Sequence, residues 1–186
     1  QWSPGGIALA EAKPMFSISW QDHWNLHIDP IDEEHRALVE GLNRLAERFV
    51  APLPGLSGQE GNGNGVGGTP GDDLGAVDRH RALITALEIL ADQTREHFKH
   101  EEALMRAIDY PELAAHRSEH ALLLAEYVEM VRDLDRQATS LLDAETLAAL
   151  QHWLVGHMVG ADREYANHYA ALIQSPQEQS PGDLSP

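Results

Sequence analysis

Apolar residues recur every three to four positions through four stretches of this chain, the spacing of one face of an α-helix. The first stretch predicts a helix from about Asp32 to Phe49, with Leu38, Leu42, Leu45 and Phe49 on one stripe. The second predicts a helix from about Asp73 to Ile108, carrying Val77, Ile84, Leu87, Ala91, Phe98 and Met105. Pro111 suits the first position of a third helix, where its missing N–H goes unneeded. That helix runs to about Ala138 through Leu123, Tyr127, Val131 and Leu134. The fourth runs from about Asp143 to Ile173, with Leu147, Leu150, Leu154, Met158 and Tyr165. Strand-like alternation competes nowhere. The expected fold is all-α, an up-down-up-down antiparallel four-helix bundle.

Two stretches lack this periodicity. Residues 51–72 hold Pro52, Pro54 and Pro70 and the run from Gly61 to Gly68, which loses too much chain entropy to order. We read it as a flexible surface loop. It is no phosphate-binding loop, because no Gly-Lys-Ser/Thr follows it. The Ser/Pro/Gln-rich stretch 175–186 reads as a disordered tail. Residues 1–14 show no charged segment leading into an apolar one, so they read as an N-terminal extension, not a signal peptide. The domain is expected over residues 15–174.

Composition removes several function classes. Apolar residues make up 42%, yet no run approaches the roughly 20 residues of a membrane span, so no membrane insertion is expected. With 30 acidic against 13 basic residues the formal charge is −17, a field that repels phosphate backbones, so nucleic acid is no expected partner. The same charge favours a monomer. Cysteine is absent, which excludes disulfides, thiolate metal sites and a cysteine nucleophile, and fits a cytoplasmic location. Histidine is the outlier, with eleven residues.

Their spacing is informative. His97 and Glu101 are four apart on the second helix and share a face, as do His116 and His120 on the third. His35 lies on the apolar stripe of the first, and His157 precedes Asp162 by five on the fourth. A bare polar group on such a stripe is costly, and a shared metal site removes the cost. Height along the bundle is the stronger test. His35 lies near the start of helix one, His97 and Glu101 near the end of helix two, His116 and His120 near the start of helix three, and His157 and Asp162 in the last third of helix four. In an up-down-up-down bundle these are the same end.

Imidazole and carboxylate without sulfur suit iron, zinc, copper or nickel. Seven ligands are too many for one ion and natural for two. Five histidines to two carboxylates differs from the mostly-Glu sites of ferritin-like oxidases. Fewer anionic ligands stabilise high-valent iron less, which favours reversible reduction of dioxygen over cleavage of its oxygen–oxygen bond. The five-residue spacing puts Asp162 well round the helix from His157, and a loosened turn eased by Gly160 is one way to aim both inward.

These pieces resemble the bacterial hemerythrins. They are Trp20, Ile31-Asp32-Glu33-Glu34-His35, the run His97 to Met105, Tyr110-Pro111, His116-x-x-x-His120, and Trp153-Leu154-x-x-His157-x-x-x-x-Asp162, spanning about residues 16–170. The resemblance implies two iron ions joined by an oxo or hydroxo bridge. His116, His120 and His157 would hold one, coordinatively full. His35 and His97 would hold the other, open to dioxygen, with Glu101 and Asp162 bridging both. It further implies that dioxygen is carried as a hydroperoxide, that Leu154 and Trp153 line the oxygen pocket, and that Tyr165 stands behind the ligands. The chain departs from the family in its long Gly-rich first connection.

The remaining histidines read as bystanders. His168 is eleven helical residues from His157, roughly 16 Å, and His80 is farther still from His97. His100 and Glu102 sit beside ligands and read as either solvated or supporting the ligands from behind. The function expected is non-enzymatic oxygen carriage, storage or delivery. The alternatives are an oxygen, redox or nitric-oxide sensor, for which no second domain or membrane segment is apparent, and a di-iron oxidase or peroxidase, for which no extra acid–base group is apparent.

Overall fold

The computed structural model describes residues 16–50 and 75–174. After a short 3-10 turn at Asp22–Trp24 come α1 (Asp29–Phe49), α2 (Ala76–Ala107), α3 (Leu113–Arg136), α4 (Ala144–Val159) and α5 (Ala161–Gln174). Helix α1 packs on α2 and α4, α2 on α3, and α5 continues from α4. The described residues thus form the expected all-helical bundle, with its fourth layer in two pieces. The Gly-rich stretch, the N-terminal extension and the tail lie outside the described residues.

The apolar stripes make the core. Leu38, Leu42, Leu45 and Phe49 of α1 meet Leu83, Leu87 and Leu90 of α2, Tyr127 and Leu134 of α3, and Leu150, Leu154 and Met158 of α4. Each such leucine contributes about 1.5–3 kcal/mol by leaving water. Val77 departs from expectation: it is 72% exposed.

Three helix ends also differ from expectation. Helix α1 starts three residues early, with Pro30 in its first turn, where no partner is lost. Pro111 does not open α3. It follows Tyr110 in a turn closed by the Leu113 N–H donating to the Tyr110 carbonyl at 3.2 Å, since proline presets the second position of such turns.

The third difference is the break at Gly160 (φ −99°, ψ −96°) between α4 and α5, where one continuous helix was expected. Its N–H is shared between the carbonyls of Gly156 and His157, each at 3.1 Å. A Cβ there would lie 2.9 Å from the Gly156 carbonyl oxygen, which is why glycine occupies the joint.

An N-terminal segment crosses one end of the bundle. Asp32 accepts from the backbone N–H of Leu26 at 2.7 Å and of His27 at 3.0 Å, holding His27 at φ 62°. Arg163 of α5 donates to the carbonyls of Asn25 at 2.7 Å and His23 at 2.5 Å. Beneath it Leu26, Ile28 and Ile31 pack on Met105, Tyr110 and Tyr165. At the opposite end the Leu142 N–H donates to the Phe49 carbonyl at 2.7 Å, and Asp143 caps α4 through the Thr146 N–H at 2.7 Å. No described helix is long and apolar enough to cross a membrane.

Candidate metal centre

Five histidines and two carboxylates, all buried, meet between the helices. Their ligand atoms form two adjoining groups, each within 4.8 Å: Glu101, His116, His120, His157 and Asp162 in one, His35, His97, Glu101 and Asp162 in the other. The structure therefore brings together all seven residues singled out above, with Glu101 and Asp162 common to both groups.

Helical spacing explains most of this. His97 and Glu101 on α2 stand one turn apart, His97 Nε2 lying 3.5 Å from Glu101 Oε2. His116 and His120 on α3 present Nε2 atoms 3.4 Å from Asp162 Oδ1 and 3.2 Å from Glu101 Oε2. His35 Nε2 lies 3.3 Å from Asp162 Oδ2. The pair His157 and Asp162 needs the break: five residues of unbroken helix would set them roughly 140° apart. With the chain broken at Gly160, His157 Nε2 comes 3.1 Å from Asp162 Oδ1.

The donor set fits cations better than it fits itself. Seven buried side-chain polar atoms among the described residues lack a hydrogen-bond partner, and five of them face this cluster: His35 Nε2, His116 Nε2, Glu101 Oε2, and Asp162 Oδ1 and Oδ2. Orphaned atoms of this kind cost about 1–3 kcal/mol each unless something satisfies them. His120 Nε2 and His157 Nε2 stand 3.0 Å apart, a separation that suits a shared proton or a shared cation. Borderline nitrogen and hard oxygen donors without sulfur suit a first-row transition metal.

The electrostatics agree. Burial pulls His116 down, but Asp162 and Glu101 outweigh it and raise its pKa to about 9. Burial and Asp162 push Glu101 up, yet the surrounding histidines hold its carboxyl below the usual range. The Tyr165 hydroxyl donates to Glu101 Oε1 at 2.7 Å. Burial, reinforced by Glu101 and Asp162, pushes that hydroxyl far above its ordinary pKa, so it stays a donor.

Beside the cluster lies a cavity of about 10 Å³, lined by His97, His157 and Asp162 on one side and by Phe98, Leu123, Trp153, Leu154 and Met158 on the other. That is about the least space that holds a single water. Leu154 and Trp153 both line the cavity, and the Trp153 indole is tied by donation to the Leu123 carbonyl at 3.0 Å. Phe98, Leu123 and Met158 had read only as core or stripe residues. Phe98 also stacks on the His120 ring, 3.6 Å between centroids.

Three acidic residues stand behind the histidines, and the sequence reading had weighed only Glu102 among them. Glu34 Oε2 accepts from His97 Nδ1 at 2.8 Å, Glu102 Oε1 from His120 Nδ1 at 3.3 Å, and Glu119 Oε1 from His157 Nδ1 at 2.9 Å. Each is next in sequence to a ligand, the signal that was available. Of the two roles open to Glu102 and His100, the contacts place both behind the ligands, His100 donating from Nδ1 to Glu34 Oε1 at 2.6 Å. His168 stays outside the cluster, against the Tyr110 ring and the Ile108 carbonyl. His80 ties α2 to the end of α3 through Asp135 and to the connection after it through Thr139.

A helical bundle whose interior offers two adjoining histidine–carboxylate groups with shared carboxylates defines a metal-binding bundle protein. Residues 26–169 match the family model described as the hemerythrin HHE cation binding domain, and the chain belongs to that family. Among its relatives, the bacteriohemerythrin of Stenotrophomonas maltophilia is 29% identical over 160 residues, 86% of each chain. A bacteriohemerythrin of Pseudomonas aeruginosa is 28% identical over 153 residues, 82% of each chain. The myohemerythrin of Riftia pachyptila is 26% identical over 146 residues, 78% of this chain and 88% of that one. A crystal structure of a hemerythrin mutant superposes with a TM-score of 0.60 at 18% identity, covering 81% of this chain and 95% of that one, a likeness of fold.

Proposed function

We propose that this protein binds two iron ions and through them binds dioxygen reversibly, as a carrier, store or donor of oxygen and not as an enzyme. One observation carries the reading: two ligand groups share Glu101 and Asp162 but differ in histidines, three against two. His116, His120 and His157 complete one group. His35 and His97 leave the other a donor short, and the small cavity opens beside His97. An iron pair held by these residues would supply the two electrons that reversible dioxygen binding requires.

The chain's own residues do the rest. Glu101 and Asp162, common to both ligand groups, would help to hold both cations. Tyr165 keeps Glu101 from turning, through a hydroxyl that does not ionise. Phe98, Leu123, Leu154 and Met158 exclude water from the cavity beside His97, which limits proton access to whatever occupies it. Beyond the ligands themselves, the lining offers no proton-transferring side chain, which supports binding over turnover.

The test is to load the protein anaerobically with iron(II), count two irons per chain, then admit air and degas. A visible absorption band that comes in air and leaves on degassing supports the reading. Irreversible bleaching with consumption of a reductant would make the protein an oxidase or peroxidase instead.

A further inference from the structure

Three of the five histidines turn their outer ring nitrogen toward a carboxylate, and the pattern around the bundle is regular. The carboxylate comes each time from the preceding helix: Glu34 of α1 behind His97 of α2, Glu102 of α2 behind His120 of α3, and Glu119 of α3 behind His157 of α4. A carboxylate only accepts, so each of these hydrogen bonds places the ring proton on Nδ1 and leaves the Nε2 lone pair free. Those three Nε2 atoms all point into the cluster, 3.1–3.5 Å from a shared carboxylate oxygen.

We propose that Glu34, Glu102 and Glu119 are positioning residues of the metal centre. They hold three histidines in the tautomer and ring orientation that binds a cation, and they strengthen those imidazoles as donors. The proposal rests on the di-iron reading above. Its effect is unequal between the two groups. His35 Nδ1 is buried without a hydrogen-bond partner, so among the described residues Glu34 alone acts behind the two-histidine group. The three-histidine group has two such carboxylates. Glu34 is held in place in turn, its second oxygen accepting from exposed His100.

Ordinary surface ion pairing is the competing account, since Glu119 is half-exposed and Glu102 also meets Arg117 Nε at 3.0 Å. The two accounts differ at the metal. The variants are Glu34→Gln, Glu102→Gln and Glu119→Gln, with exposed Glu33→Gln as control. Each is loaded anaerobically with iron(II), competed against a chelator, and taken through an optical redox titration, with circular dichroism reporting the fold. Two irons per chain in the parent test the di-iron reading by itself.

With that met, each glutamine variant should bind iron about 10–100-fold more weakly. Each should also show a higher reduction potential, because a weaker imidazole donor stabilises iron(III) less. Glu34→Gln should weaken one iron of the pair more than the other, and Glu33→Gln should match the parent. A variant that loses its helical signal is set aside, and the remaining ones decide. Folded variants with the parent's iron affinity and potential would overturn the proposal while leaving the di-iron reading intact.

Discussion

Alanine at Gly160 would place a methyl group 2.9 Å from the Gly156 carbonyl oxygen, a backbone atom that cannot step aside as a side chain would. Relieving the contact means shifting the joint between α4 and α5, an overpacking of about 1–3 kcal/mol. Gly156 is the matched control, since a Cβ there meets nothing within 4 Å. Alanine in its place should stabilise α4 by roughly 0.5–1 kcal/mol through chain entropy and helix propensity. The unfolded-chain entropy gain is common to both substitutions, so their difference reports the clash together with the helix propensity that only Gly156 gains. For a chain of this size that difference corresponds to about 2–4 °C in Tm per kcal/mol.

The metal supplies a second readout. Only the break lets Asp162 meet His157 at 3.1 Å, so Gly160→Ala should loosen a carboxylate shared by both groups and lower metal retention. Gly156→Ala should retain metal fully. Thermal unfolding by circular dichroism, together with metal content after dialysis against a chelator, measures both effects. A Gly160→Ala protein as stable and as fully loaded as Gly156→Ala would show that the joint is not what aims Asp162.

Glu101→Ala should lose both cations together, because its carboxylate belongs to both groups; two tightly held ions in the variant would contradict the sharing. Tyr165→Phe leaves Glu101 Oε1 buried without its hydroxyl donor and should lower stability by about 1–3 kcal/mol in denaturant unfolding, and an unchanged midpoint would refute this. Leu154→Ala should cost about 2–5 kcal/mol as a buried truncation. If Leu154 also screens the cavity, the oxygen-bound form of the folded variant should decay faster; a parent-like lifetime would leave Leu154 as core alone. Without cations His116 keeps its proton to about pH 9, so the stability this brings is fully present below about pH 6.5 and lost as pH rises through 9. Metal takes the same lone pair, so uptake at neutral pH should release protons and its apparent affinity should rise from pH 6 to 9; pH-independent uptake would refute the assignment.

The sequence alone determined the helices and the height of each ligand, because both follow from local spacing. The stripe of Leu38, Leu42, Leu45 and Phe49 needs only the 3.6-residue period to define a buried face, and His97 with Glu101 or His116 with His120 needs only one turn. Gly160 could be suspected from the same arithmetic, since five residues do not return to one face. What the tertiary structure decided depends on which helix stands beside which, and how each is rotated. Val77 continues the stripe of α2 yet stays 72% exposed, because periodicity selects a face without guaranteeing something to cover it. Pro111 suited a helix start by its own chemistry, but the chain still had to turn after Tyr110 before α3 began. The cavity beside His97 draws its walls from α2, α3, α4 and α5, so no single segment reveals it. Glu34, Glu102 and Glu119 each flank a ligand in sequence, yet each serves a histidine on the next helix. That pairing exists only once the bundle has fixed the rotation of every helix about its axis.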